Sequence, residues 1–171
     1  ANGAVHTYHL SGTQIISEEW GNHLLVYLYD SNGSPMGMQY RRSSMAEDVF
    51  YTFWFEKNLQ GDIVAVYNSA GTKVVSYAYD AWGNCIATNH NVSGTNSYAN
   101  LNPFRYRGYY YDSETGYYYL QSRYYNPEWG RFLNCDDTAI LLATQGETHN
   151  ANLFAYCNNS PVNFTDPTGR Y

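Results

Sequence analysis

Histidines and cysteines are the first residues to test for chemistry, because their side chains bind metals and act as nucleophiles near neutral pH. His6 and His9 stand three apart in HTYHL, a spacing that brings two imidazoles together on a helix but not in a strand, so no metal pair is expected there. His23, His90 and His149 have no partner at ligand spacing. Cys85, Cys135 and Cys157 are odd in number, far apart and in no C-x-x-C pair; they read as buried small hydrophobes, with neither a disulfide framework nor a zinc site. No Walker, Rossmann, G-x-S-x-G or H-E-x-x-H pattern is present, and no metal or cofactor is expected. Trp20, Trp54, Trp82 and Trp129 offer flat rings of the kind that stack on pyranose faces, which makes a carbohydrate-binding surface one reading. Trp82 and Trp129 lie within turn motifs and are expected instead to form lids on a sheet.

The elements that would position any site are strands. Aromatic residues make up 18% of the 171 residues and charged residues only 14%, a balance that favours a pleated surface over helices. The net charge of −6 and the absence of a basic stripe argue against a nucleic-acid partner. No stretch resembles a signal peptide or a membrane span, and the chain, beginning at Ala1, reads as a piece of a longer protein.

A corner recurs along the chain. Asp30-Ser-Asn-Gly33, Asn58-Leu-Gln-Gly61, Asn68-Ser-Ala-Gly71 and Asp80-Ala-Trp-Gly83 all read Asp or Asn, two residues, Gly. Asp or Asn at the first position of a turn bonds the backbone ahead of it, and Gly supplies the left-handed conformation that a twisted hairpin requires. Between corners lie strand-like runs such as DIVAVY and TKVVSYAY, so residues 61–83 are expected to form an antiparallel hairpin with its tip at 68–71. The tyrosine-rich stretch YYYDSETGYYYLQSRYYNPEWGRF, residues 109–132, carries longer versions of the same corner and is expected to continue the same sheet. Residues 90–100 read as a polar surface loop.

Three segments in this order, NLQGDIVAVYNSAGTKVVSYAYDAWGN, PFRYRGYYYDSETGYYYLQSRYYNPEWGRF and NLFAYCNNSPVNFTDPTG, resemble successive parts of the core region of the Rhs/YD-repeat family. That family occurs in bacterial wall-associated and polymorphic-toxin proteins and, more distantly, in insecticidal toxin-complex subunits and teneurins. The resemblance implies a mainly β fold, antiparallel YD-repeat hairpins forming part of a spiral shell, with short helices in a C-terminal plug. Its layout divides into loosely matched N-terminal strands over 1–23, a hairpin sheet over 24–132, and a plug over 133–171 that ends in the D-P-x-G motif. Helices are expected from Asp136 to Gly146 and behind Asn150 or Asn152, where Leu153, Tyr156 and Cys157 stand at helical spacing.

The function implied is a structural shell or plug module of a secreted or cell-surface bacterial protein, enclosing a C-terminal, toxin-like cargo. Its partners would be the rest of the shell and that cargo. Strands up to about Tyr40 are expected to pair with another chain or to be poorly ordered, because a piece of a spiral exposes unpaired edges. The resemblance also implies one chemistry. Many members cut themselves just after a terminal D-P-x-G-Φ motif, using aspartates near it and near an earlier G-R-F segment. Here these map to Asp166, in Asp166-Pro167-Thr168-Gly169, and to Asp136, which follows Gly130-Arg131-Phe132. Two carboxyl groups in one site share a proton, so that one activates water and the other protonates the leaving amine; Arg131 would pin one as carboxylate. The bond at stake would join Arg170 to Tyr171. Arg170 departs from the usual apolar residue, and Asp137 stands where a Pro would follow Asp136.

Overall fold

A computed structural model of the chain describes residues 4–90, 92–136 and 152–170. The chain packs as two units, the first made of Ala1–Ala78 and Ile86–Gly108, the second of Tyr79–Cys85 and Tyr109–Tyr171.

The first unit is built on a sheet of eight strands in chain order: β1 (His6–Ser11), β2 (Gln14–Trp20), β3 (His23–Tyr29), β4 (Pro35–Arg42), β5 (Tyr51–Lys57), β6 (Ile63–Asn68), β7 (Lys73–Tyr79) and β8 (Cys85–Asn89). β6 and β7 form the expected hairpin, with Val66 opposite Val75. The first strands, expected to seek another chain, pair antiparallel within this one, His6 opposite Trp20 and Trp20 opposite His23, which leaves β1 at the sheet edge. Met38, Tyr40, Ile63, Ala65 and Val66 are fully buried.

The corners share one set of bonds. The Oδ1 atoms of Asp30, Asn58, Asn68 and Asp80 each accept the backbone N–H groups two and four residues ahead, at 2.9–3.0 Å. The closing glycine donates back to the first residue's carbonyl at 3.0–3.2 Å. Its φ, between 77° and 90° at the four corners, is the left-handed value that only glycine adopts without strain. Two corners add a reciprocal side-chain pair: Asn58 Nδ2 donates to Asp62 Oδ2, and Asn84 Nδ2 donates to Asp80 Oδ2, both at 2.7 Å. Amide and carboxylate have exchanged places while the bond is kept.

Residues 90–100 are not the surface loop that their polarity suggests. Gly94–Leu101 forms a 3₁₀ helix whose Tyr98 stacks on Tyr40, with ring centroids 4.0 Å apart, and whose Ala99 is fully buried. The polar composition hides that one tyrosine and one alanine anchor the segment, while Asn68 Nδ2 donates to Asn96 Oδ1 at 3.0 Å. Beyond it, Phe104 packs edge-on against Tyr27 and Tyr29. Asn102, itself buried, holds the backbone of Phe104 at both N–H and C=O. Asp62 accepts the Arg107 backbone N–H at 2.9 Å. Arg107 and Gly108 then both take left-handed φ, 54° and 70°.

After that reversal the tyrosine-rich stretch does not extend the first sheet. It forms one of its own, β9 (Tyr110–Asp112), β10 (Tyr117–Tyr119), β11 (Tyr124–Asn126) and β12 (Arg131–Phe132), again neighbours in chain order. The second expected C-terminal helix needs correction as well. The first, over 136–146, falls mostly outside the described residues. Where the second was expected, residues 153–155 run beside β12: Phe132 N–H donates to Phe154 C=O, and Asp136 N–H to Leu153 C=O, both at 3.0 Å. Cys157, Asn158 and Asn159 follow with φ of 48°, 51° and 59°, a left-handed turn that cannot belong to a right-handed helix. No described helix is long and apolar enough to cross a membrane.

The corner pair makes a prediction. Asn84→Asp sets a carboxylate against Asp80 and is expected to cost about 1 kcal/mol, a modest figure because the corner is solvent-exposed. Asp80→Asn in the same chain recreates the arrangement seen at Asn58 and Asp62 and should recover most of the loss. Urea unfolding of the two single variants and the double variant measures both.

Candidate functional site

The second unit is organised by an aromatic ladder. Tyr111, Tyr118, Tyr125 and Phe132 stand opposite one another across the four strands, with centroids 5.1, 6.3 and 6.0 Å apart in turn. Tyr156 closes over Tyr125 at 4.2 Å, and Tyr118, Tyr125 and Tyr156 are fully buried. Tyr110, Tyr119 and Tyr124 occupy the opposite face, as the two-residue period dictates. The buried hydroxyls find carbonyls on the hairpin tip: Tyr118 donates to Gly83 at 2.9 Å and Tyr125 to Trp82 at 2.7 Å.

Between β10 and β11 the chain reverses through Leu120, Gln121, Ser122 and Arg123, with Gln121 at a φ of 66°. This reversal sends Arg123 inward. Its guanidinium lies 3.6 Å from the centre of the Phe132 ring, and the side chain is 5% exposed. Nε donates to the Gly169 carbonyl and Nη1 to the Leu153 carbonyl at 3.0 Å. Nη2 faces Asp136 Oδ2 at 2.9 Å and Asp166 Oδ2 at 3.5 Å. Burial lowers the pKa of Arg123, and the two carboxylates oppose that shift.

Asp166 is wholly buried. Its backbone N–H donates to the Tyr109 hydroxyl at 3.2 Å, and its Oδ1 accepts the Arg170 N–H at 2.9 Å. Burial pushes the Tyr109 phenol well above its ordinary pKa, and its oxygen lies 3.1 Å from that of Tyr156. The 167–169 turn is gripped from the 121–123 reversal: Gln121 Nε2 donates to Pro167 C=O at 3.3 Å, while Ser122 Oγ lies 2.7 Å from the carbonyls of both Thr168 and Gly169. A hydroxyl has one hydrogen, so Ser122 serves one carbonyl at a time or divides it between them. Gly169 has a φ of 71°, and a Cβ there would stand 2.7 Å from the Leu120 carbonyl and 2.8 Å from Ser122 Oγ. That space explains why the motif ends in glycine.

The structure thus brings Asp136 and Asp166 to one nitrogen, but that nitrogen is not Arg131's. Arg131 is exposed on β12, opposite Asn126, and pairs with no described carboxylate; the guanidinium between the aspartates belongs to Arg123. Arg123 carried no motif in the sequence. The one hint was an arginine embedded in a tyrosine-rich strand pattern, where a charge needs a partner. The Arg170 backbone is part of the cluster while its side chain is exposed; Asp137 and Tyr171 lie outside the described residues.

The remaining candidates are dispersed. His6 pairs with Glu18 at 2.5 Å and His9 with Glu19 at 3.3 Å, and no described cluster of three His, Cys, Asp or Glu could hold a metal. Of the cysteines only Cys157 is buried; Cys85 is half-buried and Cys135 exposed, so the buried reading holds for one of three. Trp20 is sandwiched between His6 and His23, and Trp82 packs over Gly130. Trp129 is 64% exposed, because its turn projects it outward, and it is no lid.

Comparison with known proteins places these features in a family context. The sequence model described as Teneurin YD-shell matches residues 10–162. The chain is 40% identical over 119 residues to the tRNA nuclease WapA of Bacillus subtilis, covering 70% of this chain and 5% of that protein. It is 34% identical over 117 residues to the double-stranded DNA deaminase toxin A of Burkholderia cenocepacia, covering 68% of this chain and 7% of that one. The chain therefore spans only a small part of these relatives. In fold it is similar to the crystal structure of TcdB2-TccC3-Cdc42, with a TM-score of 0.68, 22% identity, and coverage of 90% of this chain and 8% of that chain.

The burial of Arg123 generates a prediction that does not depend on any reaction. Removing the charge in Arg123→Met leaves Asp166 in the interior without its counter-charge and is expected to destabilise the second unit by about 3–5 kcal/mol. Arg123→Lys should recover little, since an ammonium cannot span the Gly169 and Leu153 carbonyls and both carboxylates. Hydrogen exchange at the amides of Tyr118 and Tyr125 reports the effect.

Proposed function

Because the chain belongs to the Teneurin YD-shell family, we propose that it is a wall segment of a larger β shell enclosing a polypeptide that follows it in the full-length protein. The observation that carries this reading is the contrast between relatives. A tRNA nuclease and a DNA deaminase toxin, named for different activities, share this segment with the present chain. A part common to both names is not what distinguishes their activities, which supports a housing role. The sheet suits it, with strands adding one by one in chain order and the β1 edge offering unpaired backbone to a further shell strand. On this reading the module works in a secreted or cell-surface bacterial protein. Nucleic acid is then met by the cargo and not by a segment of net charge −6.

Enclosure is tested by protease protection in the full-length protein. The downstream segment is expected to resist digestion until denaturant opens the shell, and to be cut as readily as the free segment afterwards. Equal digestion before and after unfolding would exclude the housing role.

A second reading, aspartyl self-cleavage, is favoured by one observation, the convergence of Asp136, Asp166 and Arg123 on the 166–170 turn. Asp136 is only partly covered, leaving it an approach for water, whereas Asp166 is sealed beneath the chain it would act on. Asp136→Asn and Asp166→Asn should each stop processing while leaving the sheet folded, read by the mass of the chain and by tyrosine circular dichroism. Processing that persists in either variant excludes the pair as the catalytic groups.

A further inference from the structure

We propose that His23 is a proton-sensitive joint of the first sheet: it sits there as a neutral ring, and taking up a proton sets it against Arg42 across the Tyr40 hydroxyl and loosens the seam between β3 and β4. His23 stands on β3 directly opposite Arg42 on β4. Its Nδ1 lies 2.7 Å from the Tyr40 hydroxyl, and Arg42 Nε donates to that same oxygen at 3.1 Å. A guanidinium only donates, so the single hydrogen of the hydroxyl is free to point at His23, which accepts it as a neutral ring. A protonated ring has no acceptor left. It has to turn that bond round, and the oxygen of a fully buried tyrosine then faces donors from two cations.

The groups around the imidazole set the sign of the effect. Trp20 on β2 stacks flat on its ring, with centroids 4.9 Å apart and planes 1° from parallel. On the β4 side lie Tyr40 and Arg42. Tyr98, from the Gly94–Leu101 helix, stacks on Tyr40 at 4.0 Å and bonds its hydroxyl, while the Arg42 guanidinium lies 5.8 Å from the centre of the Tyr98 ring. Among the described residues no carboxylate pairs with His23. His6 is the contrast. It stacks on the other face of Trp20 at 5.1 Å and meets Glu18 at 2.5 Å, a buried carboxylate that also accepts from the Tyr27 hydroxyl. One indole thus separates an imidazole that faces an anion from one that faces a cation.

Burial first, and then the Arg42 charge, lower the His23 pKa from its ordinary value of 6.5. A folded state that holds a proton less firmly than the unfolded chain loses stability as the pH falls. The contribution of His23 is therefore complete above the ordinary imidazole value and is lost progressively below it, down to the lower folded-state value. The seam at risk carries core residues: Leu25 and Tyr27 on β3 and Met38 and Tyr40 on β4 are all buried, and Tyr40 extends the ring stack to Tyr51 and Tyr98.

Long-range proton–nitrogen NMR of the imidazoles in the unaltered chain, titrated between about pH 8 and pH 5, tests the proposal. The expected result is an Nδ1 of His23 without hydrogen at the alkaline end and a midpoint below the ordinary value, which Arg42→Gln moves upward. Amide protection along β3 and β4 should fall severalfold over the same range, approaching the ratio of the folded to the unfolded dissociation constant, and should fall less in His23→Gln. A midpoint at or above the ordinary value would mean that the indole face attracts the cation more than Arg42 repels it, and would overturn the proposal. So would an Nδ1 that already carries hydrogen at the alkaline end, or an equal loss of protection in His23→Gln.

Discussion

A buried guanidinium is the constraint on which the second unit depends. Arg123 brings a charge and five N–H donors into a tyrosine core, where a charge left without partners is costly. The chain meets that demand with groups from segments far apart in sequence: Asp136, the Leu153 carbonyl, Asp166 and the Gly169 carbonyl, with the Phe132 ring beneath the charge. None of these segments has regular secondary structure of its own. Their convergence on one side chain holds residues 153–155 and 166–169 without the helix that the spacing of Leu153, Tyr156 and Cys157 suggests.

Much of the fold was legible in sequence, because hairpin corners are local. An Asp or Asn followed by two residues and a Gly is a complete set of instructions: acceptor, two free amides, left-handed exit. The four corners deliver that geometry whether the first residue is acidic or an amide. What was not legible was long-range. The separation into two sheets turns on Arg107 and Gly108, whose left-handed pair is set by Asp62, 45 residues away in the chain. Residues 90–100 looked like solvent-facing loop because their composition does not reveal that Tyr98 has Tyr40 to stack on.

The site divides in the same way. The motifs point to Asp136 and Asp166, since aspartate beside proline or after G-R-F is visible in one dimension, and both lie beside one guanidinium. The arginine nearest that motif is Arg131, but β12 alternates its side chains and turns Arg131 outward as it turns Phe132 in. Phe132 is then the floor on which Arg123 rests. Arg131 points away for the same reason that its neighbour Phe132 supports Arg123.

Tyrosine, and not phenylalanine, fills this core for a reason that joins the corners to the ladder. A tight corner leaves carbonyls at its third and fourth positions that the flanking strands do not use, and the Asp80 corner presents those of Trp82 and Gly83. A core of phenylalanines would bury them without donors. Tyr125 and Tyr118 each supply one hydroxyl at hydrogen-bonding distance while their rings remain in the ladder. A side chain with a long apolar body and a donor at its tip satisfies packing and polar balance in one residue. At this tip tyrosine thus serves packing and polar balance together, and Arg123 with the two carboxylates beside it carries the buried charge of the unit.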